Sequence, residues 1–257
     1  KYVSPSDITD LSNPTDPIDN TKLEVLFEKM SKSKYNGIDP NTVIKKYGAD
    51  TARMFILFKA PPEKDLEWGD SDVEGQYRFL SRIWKLYNEY LVDQAYINKI
   101  KINTKREKEF KRIMNLAIKE ITYDIDNNQF NTAISELMKF YNAINKDIFN
   151  LNRELVIESL INFSKLLAPF APHISEELWS LLGFKESIHK QKWPIIDEKA
   201  LNKDNYELVI QINGKVRDRV TIPTSSTEEQ IKEASLKRLN IQKWFDKKPI
   251  KKTIVVK

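Results

Sequence analysis

Cysteine is absent from this 257-residue chain, which rules out a disulfide framework and a thiolate metal site and fits a reducing compartment. Histidine is scarce: His173 and His189 are too few for imidazole-based metal or acid–base chemistry. There are only 6 glycines. No stretch approaches ~18 consecutive apolar residues, and no basic segment opens onto an apolar run. The sequence therefore predicts neither a membrane span nor a secretion signal, and a cytoplasmic location is expected. What is present is 40% hydrophobic and 31% charged residues, the balance of a globular chain with a generous polar surface and room for two or three compact units.

The most informative stretch is Lys29-Met30-Ser31-Lys32-Ser33, continued by Lys34-Tyr35-Asn36-Gly37 and the turn signal Asp39-Pro40. Alternating lysines and serines suit phosphate. Lysine is a compact charge with three rotatable donors, serine hydroxyls and backbone N–H groups fill remaining acceptor sites, and a nearby glycine lets the backbone come close. Such a segment can stabilise charge building on a pyrophosphate leaving group. Composition alone reads more blandly, since most lysine-serine runs are solvated loops.

Residues 1 to 28 carry Pro5, Pro14 and Pro17 and read as extended pieces and turns. Val43 to Tyr47 and Ala49 to Phe58 read as helical, the second with Ala52, Phe55 and Ile56 on one face and Asp50 in the first turn. Pro61-Pro62 ends it, and residues 64 to 68 form a connector. From Ser71 to about Leu182 the period is helical. Val73, Tyr77, Leu80, Trp84, Tyr87 and Leu91 make one stripe; Phe110 to Ile121 makes a second. A third runs from Phe130 to Ile148, with Asn127 or Asn128 placed to cap it. A fourth spans Arg153 to Leu167. Pro169 and Pro172 break the chain, and Ser175-Glu176-Glu177 opens a fifth helix. A helical bundle follows, and aromatic residues on its stripes are expected in the core. His173, with no acid or nucleophile at fixed spacing, reads as a packing residue.

The tail changes period. Residues 207–212 and 215–222 alternate around Asn213-Gly214, which predicts a hairpin. Thr227-Glu228-Glu229-Gln230 matches a capping box that starts a helix with Ile231, Ala234 and Leu239 on its apolar face. Ile250 to Val256 is expected to close the module as a strand. The fold class is α+β, mainly α: 1–70 leading into the bundle, 71–190 the bundle, 191–204 a linker, and 205–257 a small module. The net charge is +5, and from Asp204 onward 12 basic residues face 7 acidic ones, so the whole excess lies in the tail. Lys215, Arg217 and Arg219 alternate along one strand and are expected to share one open face, a footprint for nucleic acid.

Lys-Met-Ser-Lys-Ser is the signature loop of the class I aminoacyl-tRNA synthetases, and the chain carries it letter for letter. Lys46 to Arg53, Ala60 to Trp68, Val73-Glu74-Gly75 and Arg78-Phe79-Leu80 resemble the segment that follows the loop in bacterial-type leucyl-tRNA synthetases. Leu166 to Trp179 resembles the end of the anticodon-binding bundle shared by the leucine, isoleucine, valine and methionine enzymes. The tail resembles the small C-terminal domain of the leucine enzymes. The family's His-Ile-Gly-His type sequence is missing and the chain begins at Lys1, so it is expected to be the C-terminal part of such an enzyme, without a complete catalytic site.

This resemblance implies ATP, with Mg²⁺, and leucine as substrates, tRNA(Leu) as partner and a monomer. It gives Lys32 and Lys29 the pyrophosphate charge, with Ser31 and Ser33 ordering the loop. Arg53, Lys64, Arg78, Lys215, Arg217 and Arg219 become candidate tRNA contacts. No resident metal site is expected. The alternative is a stand-alone helical RNA-binding or adaptor module without enzymatic ancestry.

Overall fold

The computed structural model describes residues 2–10, 12–26, 28–92, 104–202, 205–244, 250 and 252–255, which divide into a unit ending at Ile196 and a second beginning at Asp197. In the first unit, residues before the signature loop form a short 3₁₀ turn and side-chain-stabilised turns, with Asp10, Asp16 and Asp19 each accepting from a backbone N–H two residues on. A second 3₁₀ turn covers Lys32–Lys34. Helix α1 (Pro40–Tyr47) starts where Asp39 caps the Asn41 N–H and Pro40 presets the first helical φ. Gly48, at φ +86°, then lets the chain turn at once into α2 (Ala49–Lys59).

The bundle proper is α3 (Asp70–Val92), α4 (Thr104–Asp126), α5 (Phe130–Asp147), α6 (Arg153–Leu167) and α7 (Pro172–Leu181). Its core joins Phe79, Ile83, Phe110, Phe140, Phe163 and Leu167 with residues of all five helices, and Met54 of α2 reaches into it. Edge-on and tilted aromatic contacts, such as Phe79–Tyr141 at 5.6 Å and Phe140–Phe163 at 5.8 Å between centroids, fill it. Tyr87 of α3 is buried and donates its hydroxyl to the Leu160 carbonyl of α6 at 2.7 Å. A satellite cluster of Val43, Phe55 and Val73, with Trp68 edge-on to Phe55 at 4.8 Å, seats α1 and α2 on the start of α3.

Two expected faces and one expected cap need correction. On α2 the buried residues are Asp50, Thr51, Met54 and Phe55, while Ile56 is exposed, because the helix serves two cores at once. On α3, Tyr77 and Trp84 are 46% and 41% exposed; Phe79, Ile83 and Leu86 take the inner positions, so the true stripe is rotated from the expected one. Helix α5 is led by Gln129 without a side-chain cap, since Asn128 adopts φ +57° to turn the chain out of α4. The α6 boundaries fall where expected, with Asn152 accepting from the Leu155 N–H at 2.8 Å.

In the second unit β1 (Asn205–Ile212) and β2 (Lys215–Pro223) form a two-stranded antiparallel hairpin. Asn213 and Gly214 at its tip have φ +51° and +76°, as the Asn-Gly turn requires. Helix α8 (Glu228–Leu236) opens with the reciprocal Thr227–Gln230 capping box and is followed by the single turn α9 (Leu239–Gln242). Ile231 and Ile241 are buried, whereas Leu239 is exposed. The expected closing strand is not formed at residues 250 and 252–255; residues 251, 256 and 257 lie outside the described residues.

Candidate functional site

The signature loop is a polar hairpin closed by side chains. Asn36 Oδ1 accepts the Ser31 N–H at 2.8 Å, and its Nδ2 points between the carbonyls of Glu28 and Lys29, at 3.3 and 3.4 Å. Lys34 pairs with Glu28 and lies 5.3 Å from the centroid of the Tyr2 ring. The pairing raises the Lys34 pKa and lowers that of Glu28, chiefly through their mutual hydrogen bond. Ser31 Oγ and Ser33 Oγ lie 2.9 Å apart. Tyr35, at φ +56°, reverses the chain so that Asn36 comes back beside its partners.

The three lysines of the loop are thus unequal. Lys34 is consumed by Glu28, while Lys29 and Lys32 are exposed and have no ion-pair partner among the described residues. Two free ammonium groups beside paired hydroxyls can meet a polyanion. Neither Glu28 nor Asn36 stands out as a motif in the sequence; only their geometry shows what they hold.

Of the candidate nucleic-acid contacts, Arg53 is exposed and has a structural task besides. Its guanidinium donates to the Pro169 and Phe170 carbonyls, Nη2 at 2.9 Å and Nε at 3.4 Å, so it braces the turn between α6 and α7. Lys64 is exposed, and Arg78 is exposed with Glu74 at 4.0 Å. The half-exposed Tyr77 and Trp84 line, with Tyr47 and Ile174, a shallow cleft of about 280 Å³. His173 is 77% exposed in its side chain, with Nδ1 2.8 Å from Asp50. That carboxylate also accepts the N–H groups of His173 and Ile174, at 3.3 and 2.7 Å, so a residue of α2 caps α7, whose own Ala171 cannot.

The expected single basic face on β2 is corrected. Lys215 pairs with Ile212 and Val216 with Gln211, but Asp218 pairs with Ile210, so Arg217 is an extra residue in the ladder. A bulge of one residue reverses the pleat beyond it. Lys215 therefore shares a face with Val220 and Ile222, and Arg219 falls on the opposite one with Val216. Arg217 lies with Cζ 3.8 Å from the Trp244 ring centroid, Trp244 being 49% exposed. Arg219 reaches Glu207 at 3.0 Å. Asp218 binds Arg238 at 2.9 Å, and that guanidinium, followed by the Arg219 N–H, holds its carboxyl below the ordinary range.

Residues 107–233 match the family of the anticodon-binding domain of tRNA ligases, and residues 27–69, which include the loop, match the class I tRNA synthetases of the I, L, M and V group. Both matched segments are thus similar to tRNA ligases, the loop to the class I synthetases and the bundle to their anticodon-binding domain. Leucine–tRNA ligases of Prochlorococcus marinus align over 100% of it, at 68% identity in strain MIT 9215, 67% in MIT 9312 and 51% in MIT 9211. The solved LeuRS–tRNA–LeuAMS ternary complex of Agrobacterium radiobacter K84 agnB2 matches with a TM-score of 0.76 and 31% identity, over 89% of this chain and 30% of that one. Within the class, then, the chain corresponds to part of a leucine–tRNA ligase, spanning 30% of the length of the curated relatives. A stand-alone module without enzymatic ancestry does not account for these matches.

Proposed function

We propose that the chain serves a leucine–tRNA ligase by presenting Lys32 and Lys29 to ATP and by holding tRNA(Leu). In this reading leucine and ATP give leucyl-adenylate and pyrophosphate, and leucine then passes to the terminal adenosine of the tRNA. Lys32, with Lys29 beside it, meets the negative charge that grows on the departing pyrophosphate. Ser31 and Ser33 order the loop that carries them. Magnesium arrives with ATP as substrate; among the described residues no group of three or more His, Asp or Glu is placed to hold a metal. The leucine pocket belongs to other parts of such an enzyme, so this chain alone is inactive.

The bundle and the small second unit supply the tRNA surface, with Lys64, Arg78, Lys215, Arg217 and Arg219 as its phosphate contacts. No helix among the described residues is long and apolar enough to cross a membrane, and the reading is of a cytoplasmic monomer. The observation that carries the proposal is the pair of exposed lysines, without an ion-pair partner among the described residues, on a pinned loop inside the segment that matches the class I synthetases.

The test is Lys32→Ala in the full-length ligase. Leucine-dependent pyrophosphate exchange should fall about 10²–10³-fold, as for loss of one transition-state donor, with the KM for leucine within about twofold of the parent. Exchange within about threefold of the parent would remove Lys32 from the chemistry.

A further inference from the structure

We propose that Asn36 is a positioning residue for the activation step: its carboxamide fixes the loop so that Lys32 is delivered to the pyrophosphate. The inference rests on the reading of Lys32 given above. One side chain makes three ties at the neck of the loop, accepting from Ser31 N–H and donating toward the Glu28 and Lys29 carbonyls. Ser31 is the residue immediately before Lys32, and it also opens the 3₁₀ turn through its carbonyl, which accepts the Lys34 N–H at 3.1 Å. Anchoring Ser31 therefore anchors the backbone from which the Lys32 side chain departs.

The chemistry of the neck selects an amide. It needs one acceptor facing an N–H and donors facing two carbonyl oxygens, which Asn supplies on a side chain of the right length. Aspartate would keep the acceptor but set a carboxylate oxygen against both carbonyls. Among the described residues the neck is also closed by the Lys34–Glu28 pair, which is partly solvent-exposed and so contributes modestly. Because a displacement of ~1 Å at a charge-stabilising group can cost about 10²-fold in rate, holding this neck is a catalytic matter as well as a conformational one.

A double-mutant cycle in the full-length ligase separates these roles. Asn36→Ala should lower kcat for leucine-dependent pyrophosphate exchange by about tenfold or more, with the KM for leucine within about twofold. Asn36→Asp, nearly isosteric, should be at least as impaired, since its second oxygen repels the two carbonyls. In the Lys32→Ala background, Asn36→Ala should remove less than about threefold further, because the group it positions is already gone. Equal losses in both backgrounds, or an Asn36→Ala enzyme within about threefold of the parent while Lys32→Ala is crippled, would overturn the inference and leave the reading of Lys32 intact. A harmless Lys32→Ala would instead sink that reading and the inference with it.

Discussion

The bundle and the signature loop belong to one unit yet are held by opposite means. Helices α3 to α7 are held chiefly by interlocked apolar side chains, with polar ties such as Tyr87 to Leu160 and Arg106 to Asp147 between them. The loop from Glu28 to Asn36 has exposed or half-buried residues and is held by side-chain-to-backbone bonds, the backbone bonds of its 3₁₀ turn and the Lys34–Glu28 ion pair. Apolar burial is non-directional and cooperative, so the bundle resists local opening; polar ties in water contribute little net stability, so the loop opens readily. A segment that must admit and release nucleotide gains from the second kind of construction.

The largest loss is expected in the bundle. Phe163 is 0% exposed and lies between Phe140 and Tyr141, so Phe163→Ala should cost about 3–5 kcal/mol in urea unfolding. A loss under about 1 kcal/mol would mean that the helices close over the hole, and that the core is less interlocked than it looks. A polar tie has real weight where it is buried. Asp50→Ala, which strips α7 of its borrowed cap, should cost about 1–2 kcal/mol, with Asp50→Asn falling between it and the parent. An unchanged midpoint for Asp50→Ala would show that water caps α7 equally well.

The smallest effect is expected at Tyr87. Tyr87→Phe keeps the ring and removes one buried hydroxyl, for a cost of about 1 kcal/mol at neutral pH. Burial pushes the phenol above its ordinary 10.0, so folding favours the neutral form. The resulting stability is whole below about pH 10 and is lost as pH climbs from there towards the raised value. Denaturation midpoints followed between neutral and alkaline pH should fall less steeply for Tyr87→Phe than for the parent. Parallel slopes would assign the alkaline loss to other groups.

Much of the bundle could be read from the sequence, since helical period is a local signal: the run from Arg153 to Leu167 marks α6, whereas α1 begins at Pro40 and not at the expected Val43. What escaped is what depends on a distant partner. Arg53 reads as a surface cation until the Pro169 and Phe170 carbonyls are seen opposite it, 116 and 117 residues on. Tyr77 and Trp84 keep the right spacing for a stripe, but the position of α2 and α7 decides which edge of α3 is covered. The bulge at Arg217 has no glycine or proline to announce it, and one extra residue was enough to part Lys215 from Arg219. In the loop the lysines were evident from their string, whereas Asn36 lay in the same run without a visible task.

The borrowed cap on α7 bears on how this molecule can be dissected. Helix α2 gives the bundle Met54 for its core, Asp50 for the head of α7 and Arg53 for the turn before it. A cut placed after the connector, where periodicity alone suggests a seam at 70, would leave a hole, an open helix end and two orphaned carbonyls together. A piece of the bundle that keeps these ties must therefore include α2, which periodicity alone would assign to the segment before it.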